Sequence, residues 1–230
     1  MGRAQGAKGQ GQTLDVAEVL DRLEARYGKV AYERRLEPMD ELVSCILSQH
    51  TTDATSFPAF FRLREKYPSW EQVVAAGPAR VASVVKKAGL ANQKARSIVS
   101  ALKEIKAQTG AYSIDHLADM PMGEAREWLE SLPGVGPKTA SIVLCFAFGM
   151  DAIPVDTHIY RVSHRLGFIE KRVDANKAHD VLLRVVPKQD AYRYHVLLIQ
   201  HGRTVCKAQR PLCDECELKD LCMYYKEERQ

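Results

Sequence analysis

The chain has 230 residues, enough to bury one large hydrophobic core or two smaller ones. Its composition, 46% hydrophobic and 27% charged, is that of a folded globular protein, and no apolar run is long enough to cross a membrane. The formal net charge of +4 is only a mild indication of a polyanionic partner.

Residues 1–12 are rich in Gly and Gln and carry no apolar segment, so we predict a disordered leader rather than a secretory signal. A chain without such a signal stays where thiols are reduced. The 6 cysteines are therefore not expected to form disulfides.

Apolar residues recur at helical spacing along most of the chain, first at Val16, Val19, Leu20 and Leu23. Gly and Pro punctuate the junctions, and no alternating run is long enough to indicate a sheet, so the predicted class is all-α. The predicted helices are Leu14–Tyr27, Glu41–Gln49, one around Phe57–Phe61 with a late start or kink at Pro58, Trp70–Ala76, Pro78–Lys87, Asn92–Gln108, Met122–Ser131, Pro137–Phe148, Thr157–Leu166, Ala175–Val186 and Ala191–Arg203.

Residues 132–138 form a Leu-Pro-Gly-Val-Gly-Pro-Lys turn between two of these helices. Pro137 suits the first position of a helix, and Gly134 and Gly136 permit positive φ and a close approach to the backbone. Unpaired N–H groups at the start of the next helix form a site for a phosphate, which holds a duplex in register without reading its sequence. A lone glycine pair would indicate only a helix connection.

Lys138 follows that turn, and a lysine amine can attack a sugar carbon and form a Schiff base. An ordinary lysine is protonated at neutral pH, so we expect the helix start and burial in a cleft to disfavour the ammonium form. Asp156 is a carboxylate placed to accept a proton and to stabilise positive charge on the sugar. It also stands at a helix start, where an N-cap is the simpler explanation, and one residue can serve both purposes.

Four cysteines close the chain with the spacing C-x6-C-x2-C-x5-C: Cys206, Cys213, Cys216 and Cys222. Four thiolates in so short a segment can bind a metal centre, and their chemistry alone leaves Zn²⁺ and a [4Fe–4S] cluster open. Cys45 and Cys145 lie on apolar helix faces and are predicted core residues.

With these features in place, the chain resembles the endonuclease III family of bifunctional DNA glycosylase/AP lyases from about Leu14 to Tyr225. The most specific segments are Leu132–Ala140 and Val155–Val162. The resemblance implies that Lys138 is the Schiff-base lysine and Asp156 the essential aspartate, and that the cysteines hold a [4Fe–4S] cluster. Adenine-specific relatives usually lack this lysine and carry a further C-terminal domain, which disfavours that branch.

The family also implies side chains that fill the gap left by an everted nucleotide. His50 stands where the family commonly has glutamine, with Gln49 as the alternative in a shifted register, and Leu90 resembles the wedge on the opposite strand. Ala91 replaces a frequent tyrosine, and Pro137 replaces a basic residue. The expected DNA contacts are Gln49, His50, Leu90, Leu132, Gly134, Val135, Gly136, His158, Lys207 and Arg210.

The implied architecture is two helical domains with a DNA-binding cleft between them. Residues 31–150 would form a six-helix barrel with a helix-hairpin-helix at 124–148, and residues 13–30 with 151–230 would form the iron–sulfur domain. The implied protein is a cytoplasmic, nucleoid-associated monomer of bacterial type.

The implied activity is removal of oxidised pyrimidines from double-stranded DNA and cleavage 3′ to the abasic site by β-elimination. One alternative is a monofunctional glycosylase of other lesion specificity. The other is a non-catalytic DNA-binding or redox iron–sulfur module, against which the presence of both Lys138 and Asp156 argues.

Overall fold

The structure is a computed structural model that describes residues 14–170 and 172–228, apart from the side chains of residues 176 and 228. The leader predicted for residues 1–12 lies outside the described residues. No helix within the described ranges is both long and apolar enough to span a bilayer.

The described residues form α-helices and short 3₁₀ segments without a strand, which confirms the all-α class. The helices are α1 Val16–Tyr27, α2 Pro38–Ser48, α3 Asp53–Lys66, α4 Trp70–Val84, α5 Ala91–Thr109, α6 Met122–Glu130, α7 Pro137–Phe148, α8 Thr157–Leu166, α9 Ala175–Val185, α10 Ala191–Thr204 and α11 Met223–Glu228.

Proline and glycine shape two of these helices differently. Helix α4 is broken at Gly77, whose φ of 76° and ψ of 165° are not helical, so the two predicted segments on either side of it are confirmed. Helix α3 begins at Asp53, so Pro58 lies inside it rather than near its start. The missing Pro58 N–H deprives only the Ala54 carbonyl of its partner, and the helix tolerates that loss.

The buried hydrophobic side chains form two clusters. The first core is formed by buried residues between 39 and 152, from α2 to α7. The second is formed by buried residues between 16 and 23, in α1, and between 153 and 218, from α8 onward. The chain therefore starts in the second core, builds the first, and returns at Ile153. These two cores support the predicted domain limits, which remain a prediction.

Ion pairs fasten the first helix to the last long one. The Arg193 guanidinium of α10 donates to Glu24 at 2.8 Å and to Asp21 at 2.6 Å, both on α1. The hydrogen bond from Arg193 holds the pKa of the Glu24 carboxyl at about 2, so this buried group stays charged. The pairing explains how a helix at the start of the chain belongs to the second core.

A buried lysine ties together two loops at the surface of the first core. Lys94 of α5 is only 3% exposed, and its ammonium donates to the carbonyls of Leu47 and Ala88, each at 2.7 Å. Burial lowers the pKa of Lys94, and the two carbonyls satisfy its donors in place of water. Residues 49–50 and Leu90 lie two or three residues beyond these two carbonyls in the chain, so one side chain helps to position both segments.

We expect Lys94→Met to lower the free energy of unfolding by about 2 kcal/mol, because it leaves two buried carbonyls without donors. Urea denaturation followed by circular dichroism measures this change. Lys103→Met, at an exposed position of the same helix, is the matched control. Equal stability of the two variants would contradict the assignment of Lys94 as a structural link.

Candidate functional site

A cavity of about 580 Å³ lies where the two cores meet. We call it the central cavity. The first core contributes Lys138, Arg35, Phe57 and Phe146 among its walls, and the second contributes Asp156, His158, His195 and Arg203. The two residues singled out for sugar chemistry therefore face one space, although they come from different helices.

Lys138 enters the cavity from the first turn of α7. Gly136 is the N-cap and Pro137 is the first helical residue, as the motif predicted. The Lys138 side chain is exposed, so the expected burial is wrong: the central cavity is open enough for the amine to reach solvent. Of the two features expected around Lys138, only its place at the positive end of α7 is found.

The turn before Lys138 packs tightly against α5. Gly134 has a φ of +81°, and a Cβ added there would lie 2.5 Å from Cβ of Ser97. The N–H of Val135 donates to the Leu132 carbonyl at 3.1 Å, closing the turn. Both Leu132 and Val135 have buried side chains, so neither side chain can reach a ligand from this turn.

The unpaired donors of the hairpin are backbone groups. Among the described residues, none accepts from the N–H groups of Gly134, Gly136, Lys138 or Thr139. They lie at or near the start of α7, where the helix dipole favours an anion. The backbone N–H groups that could contact a phosphate are therefore those of Gly134, Gly136 and the first turn of α7.

Asp156 is the N-cap of α8, which confirms the structural part of its prediction. Its Oδ1 accepts from the N–H groups of His158 and Ile159, both at 2.8 Å. Within the described residues Oδ2 accepts no hydrogen bond, and the half-buried carboxylate lines the central cavity. One oxygen therefore caps the helix while the other is available to a substrate.

Two buried histidines hold the segment that leads to Asp156. Nδ1 of His179 lies 3.1 Å from the Ile153 carbonyl, and Nδ1 of His195 lies 2.9 Å from the Pro154 carbonyl. Since a carbonyl only accepts, each Nδ1 carries the proton. Burial lowers the pKa of His195 to about 4, so its imidazole is neutral at physiological pH.

The predicted gap-filling residues share an unusual backbone. His50 has a φ of 54° and Leu90 a φ of 46°, left-handed values that non-glycine residues seldom adopt. Leu90 is 54% exposed despite its apolar side chain, and His50 is also exposed. Gln49 instead donates to the Gly134 carbonyl at 2.9 Å and to Oγ1 of Thr139 at 3.2 Å, so its amide is already engaged with the hairpin.

The four terminal cysteines surround a second pocket, whose other walls include Val162, Leu166, Val205 and Leu218. None of the cysteines forms a disulfide. Burial raises the pKa of the Cys216 thiol to about 11, and a bound cationic metal centre would favour its thiolate form. No three metal-binding side chains among the described residues are grouped for a single ion, whereas a four-iron cluster takes each thiolate on a separate iron. The donor set and its apolar walls fit such a cluster.

Helix α8 organises the loop after the first of these cysteines. Arg165 donates to the carbonyl of Lys207 at 2.7 Å and lies 3.4 Å from Sγ of Cys206. Arg161 donates to the Cys206 carbonyl at 3.0 Å. These arginines leave Lys207 and Arg210 exposed at the surface of the loop, where cations can meet a phosphate.

Sequence reasoning missed several residues of the central cavity. Arg35, Phe57, Phe146 and His195 carry no local motif. Only the meeting of α3, α7 and α10 with the segment before α2 brings them together. Arg203 of α10 and Asp53 of α3 form an exposed ion pair at 3.8 Å across the central cavity, between the helices of the two cores. An exposed pair of this kind contributes little to stability.

Comparison with known proteins gives consistent results. Residues 43–188 match the family model described as HhH-GPD superfamily base excision DNA repair protein, and residues 206–222 match the iron–sulfur binding domain of endonuclease III. The chain is 34% identical to endonuclease III of Thermotoga maritima, covering 84% of this chain and 86% of that protein. It is 38% identical to endonuclease III of Bacillus subtilis, covering 80% of each.

A solved structure of a trapped endonuclease III–DNA covalent intermediate superposes with a TM-score of 0.79 at 32% identity. The match covers 94% of this chain and 97% of that one. Both the barrel and the cysteine segment thus have counterparts in one known fold.

We expect Gly134→Ala to lower the free energy of unfolding by roughly 1–3 kcal/mol, because the new Cβ meets Ser97 and the residue needs a positive φ. Thermal unfolding measures the change. Gly123→Ala is the control, since a Cβ there meets nothing within 4 Å and alanine favours a helix. A Gly134→Ala variant as stable as the control would contradict the tight packing of the turn.

The lowered pKa of His195 predicts a pH dependence of stability. Between the unfolded value of 6.5 and the folded value of about 4, the unfolded chain binds more protons, so this stability is present above pH 6.5 and is lost as the pH falls. His195→Asn keeps a donor for the Pro154 carbonyl but cannot titrate.

Urea denaturation at several pH values should show that acidification over this window costs the His195→Asn variant less, by on the order of 2 kcal/mol, than the wild type. The exposed His116→Asn variant should follow the wild type. Identical pH slopes for all three proteins would contradict a neutral, buried His195.

Proposed function

The chain belongs to the HhH-GPD superfamily of base excision DNA repair proteins, as a member of the endonuclease III family, and on that premise we propose that it is a bifunctional DNA N-glycosylase and AP lyase. As a base excision repair glycosylase it removes a base from DNA. The proposal adds that it then breaks the strand through a covalent bond to Lys138.

The observation that carries this proposal is the meeting of Lys138 and Asp156 in the central cavity. Lys138 supplies a primary amine in the first turn of α7, and Asp156 supplies a carboxylate oxygen that α8 does not use. An amine and a free carboxylate facing one substrate-sized space are the two groups that attack on a sugar carbon requires.

In the proposed reaction, Nζ of Lys138 forms a bond to C1′ as the bond from C1′ to the base breaks. The base leaves with the electron pair, and Asp156 receives a proton from the new ammonium. The departed base takes up a proton from solvent. Opening of the sugar ring, in which the proton on Asp156 passes to O4′, then gives a protonated Schiff base between Nζ and C1′. Removal of a proton from C2′ expels the 3′ phosphate, which cuts the strand by β-elimination.

The hairpin and the loops are proposed to hold the duplex around this reaction. The N–H groups of Gly134 and Gly136 would bind a phosphate, and His158, Lys207 and Arg210 would contact others. We propose that His50 and Leu90 fill the gap left by the everted nucleotide. Their left-handed backbone supports this role, because strain of that kind is concentrated at functional sites.

The Gln49 amide bonds to the hairpin, which favours His50 over Gln49 as the gap-filling residue. The substrate is proposed to be double-stranded DNA with oxidised pyrimidines or abasic sites, bound by a monomer. The proposed location is the nucleoid in a bacterial-type cytoplasm.

We propose that Cys206, Cys213, Cys216 and Cys222 would hold the [4Fe–4S] cluster, since the matched iron–sulfur domain spans them and they line one pocket. When bound, the cluster cross-links a tail with too few apolar residues for a core of its own. Arg161 and Arg165 of α8 donate hydrogen bonds to the loop between the first two cysteines and so attach that loop to the helix. Through that helix the loop and Asp156 share one rigid support.

Borohydride reduction of the enzyme mixed with an abasic duplex should trap a covalent adduct in the wild type and none in Lys138→Ala. Asp156→Asn should slow strand cleavage by roughly 10²–10⁴-fold, because it removes the proton acceptor. Lys103→Ala, at an exposed position, should trap as the wild type does. An adduct that persists in Lys138→Ala would overturn the assignment, and base release without any adduct in the wild type would show a monofunctional glycosylase.

A further inference from the structure

A fully buried carboxylate lies behind the wall of the central cavity and takes no part in the proposed reaction. The Glu41 side chain is 0% exposed and pairs with Arg35, whose side chain is 34% exposed. Burying a charge in this way is costly, and a pair of this kind is weak support for stability. Since stability alone does not explain this pair, we considered a functional role for it.

Glu41 holds the Arg35 guanidinium along one edge. Nε of Arg35 donates to Oε2 of Glu41 at 3.0 Å, and Nη2 donates to Oε1. Sγ of Cys45 also donates to Oε1, at 3.2 Å. Two parallel hydrogen bonds fix the plane of a guanidinium as one bond cannot.

Burial by itself would lower the pKa of Arg35, but the hydrogen bonds and charge of Glu41 outweigh it and the pKa is raised. The guanidinium is therefore always charged. Its carbon lies 4.7 Å from the ring centre of Phe146 and 5.5 Å from that of Phe57, and both rings line the central cavity. Among the described residues, no acceptor pairs with the remaining nitrogen, Nη1.

We propose that Arg35 is a specificity-determining residue that donates from Nη1 to a carbonyl oxygen of the base everted into the central cavity. The inference rests on the proposed glycosylase function. Glu41 fixes the direction of the donor, and Phe57 and Phe146 give the cavity wall beside it an apolar surface. The class of base selected is one that presents a carbonyl acceptor to this wall.

The contact would also assist departure of the base. When the bond from C1′ to the base breaks, the electron pair passes to the base and part of the negative charge reaches its carbonyl oxygens. A hydrogen bond from a charged donor strengthens as that charge develops, so Arg35 stabilises the transition state more than the bound substrate. Cleavage of a strand that has already lost its base makes no use of this contact.

Base release should depend on Arg35, whereas cleavage of an abasic strand should not. Single-turnover rates measured on two duplexes of the same sequence test this expectation. One duplex carries 5-hydroxyuracil and the other an abasic site. Arg35→Lys keeps a cation beside Glu41 but loses the planar donor. We expect it to release the base about 10- to 100-fold more slowly while it cleaves the abasic strand within about twofold of the wild-type rate.

Two further variants protect the test against a folding defect. Arg35→Met combined with Glu41→Leu removes both charges, so no buried carboxylate is left unpaired, and it should show the same selective loss. Arg34→Lys makes the same change at an exposed neighbour outside the cavity wall and should behave as the wild type.

The outcomes separate this inference from the function on which it rests. Wild-type rates of base release by Arg35→Lys would overturn the inference alone. Equal losses on both duplexes would also overturn it, because they would place Arg35 in folding or duplex binding. Absence of base release by the wild type itself would overturn the proposed function, and the inference with it.

Discussion

The position of Asp156 depends on the backbone of residues 153–156. Two buried imidazoles form hydrogen bonds to the carbonyl groups of this segment. His179 and His195 each bond one carbonyl of this segment, where the chain passes from the first core to the second. Both rings are buried and neutral, so they can replace water as the donors to these carbonyls. These two hydrogen bonds therefore help to fix the backbone that leads to Asp156 and the start of α8.

Helices α7 and α8 both begin at the central cavity. The first N–H groups of α8 are capped by a side chain, whereas those of α7 are not. At α8 the Asp156 carboxylate accepts from two of them, so the helix is closed and one carboxylate oxygen remains for chemistry. At α7 the N-cap is Gly136, which has no side chain to offer, and the N–H groups stay open to an anion. The start of α8 is thus closed by a carboxylate, whereas the start of α7 keeps unpaired N–H groups that favour an anion.

The cysteine segment is connected to this arrangement through α8. Asp156 caps the beginning of that helix, and Arg161 and Arg165 bond the loop that follows Cys206 from farther along it. One helix of 10 residues therefore carries the Asp156 cap at its start and the contacts to the loop after Cys206 farther along.

Much of this arrangement was readable from local sequence. Apolar spacing predicted nearly every helix, Gly77 predicted the break in α4, and the hairpin motif with Asp156 predicted where α7 and α8 begin. Helix boundaries and caps depend on neighbours within a few residues, so the amino-acid order alone determines them. The short helix α11 lacked such a signal, because its few residues have too little periodicity to stand out.

Only the tertiary structure decided what lies around the reacting groups. It showed that Lys138 is exposed, that Gln49 bonds to the hairpin, and that Arg35 is turned toward the cavity by a carboxylate buried behind it. These facts arise from contacts between helices that are distant in the chain, and no short motif encodes them. The sequence by itself determined where the candidate residues Lys138 and Asp156 stand, each at the start of a helix, and the packing of the two cores determined which side chains surround them.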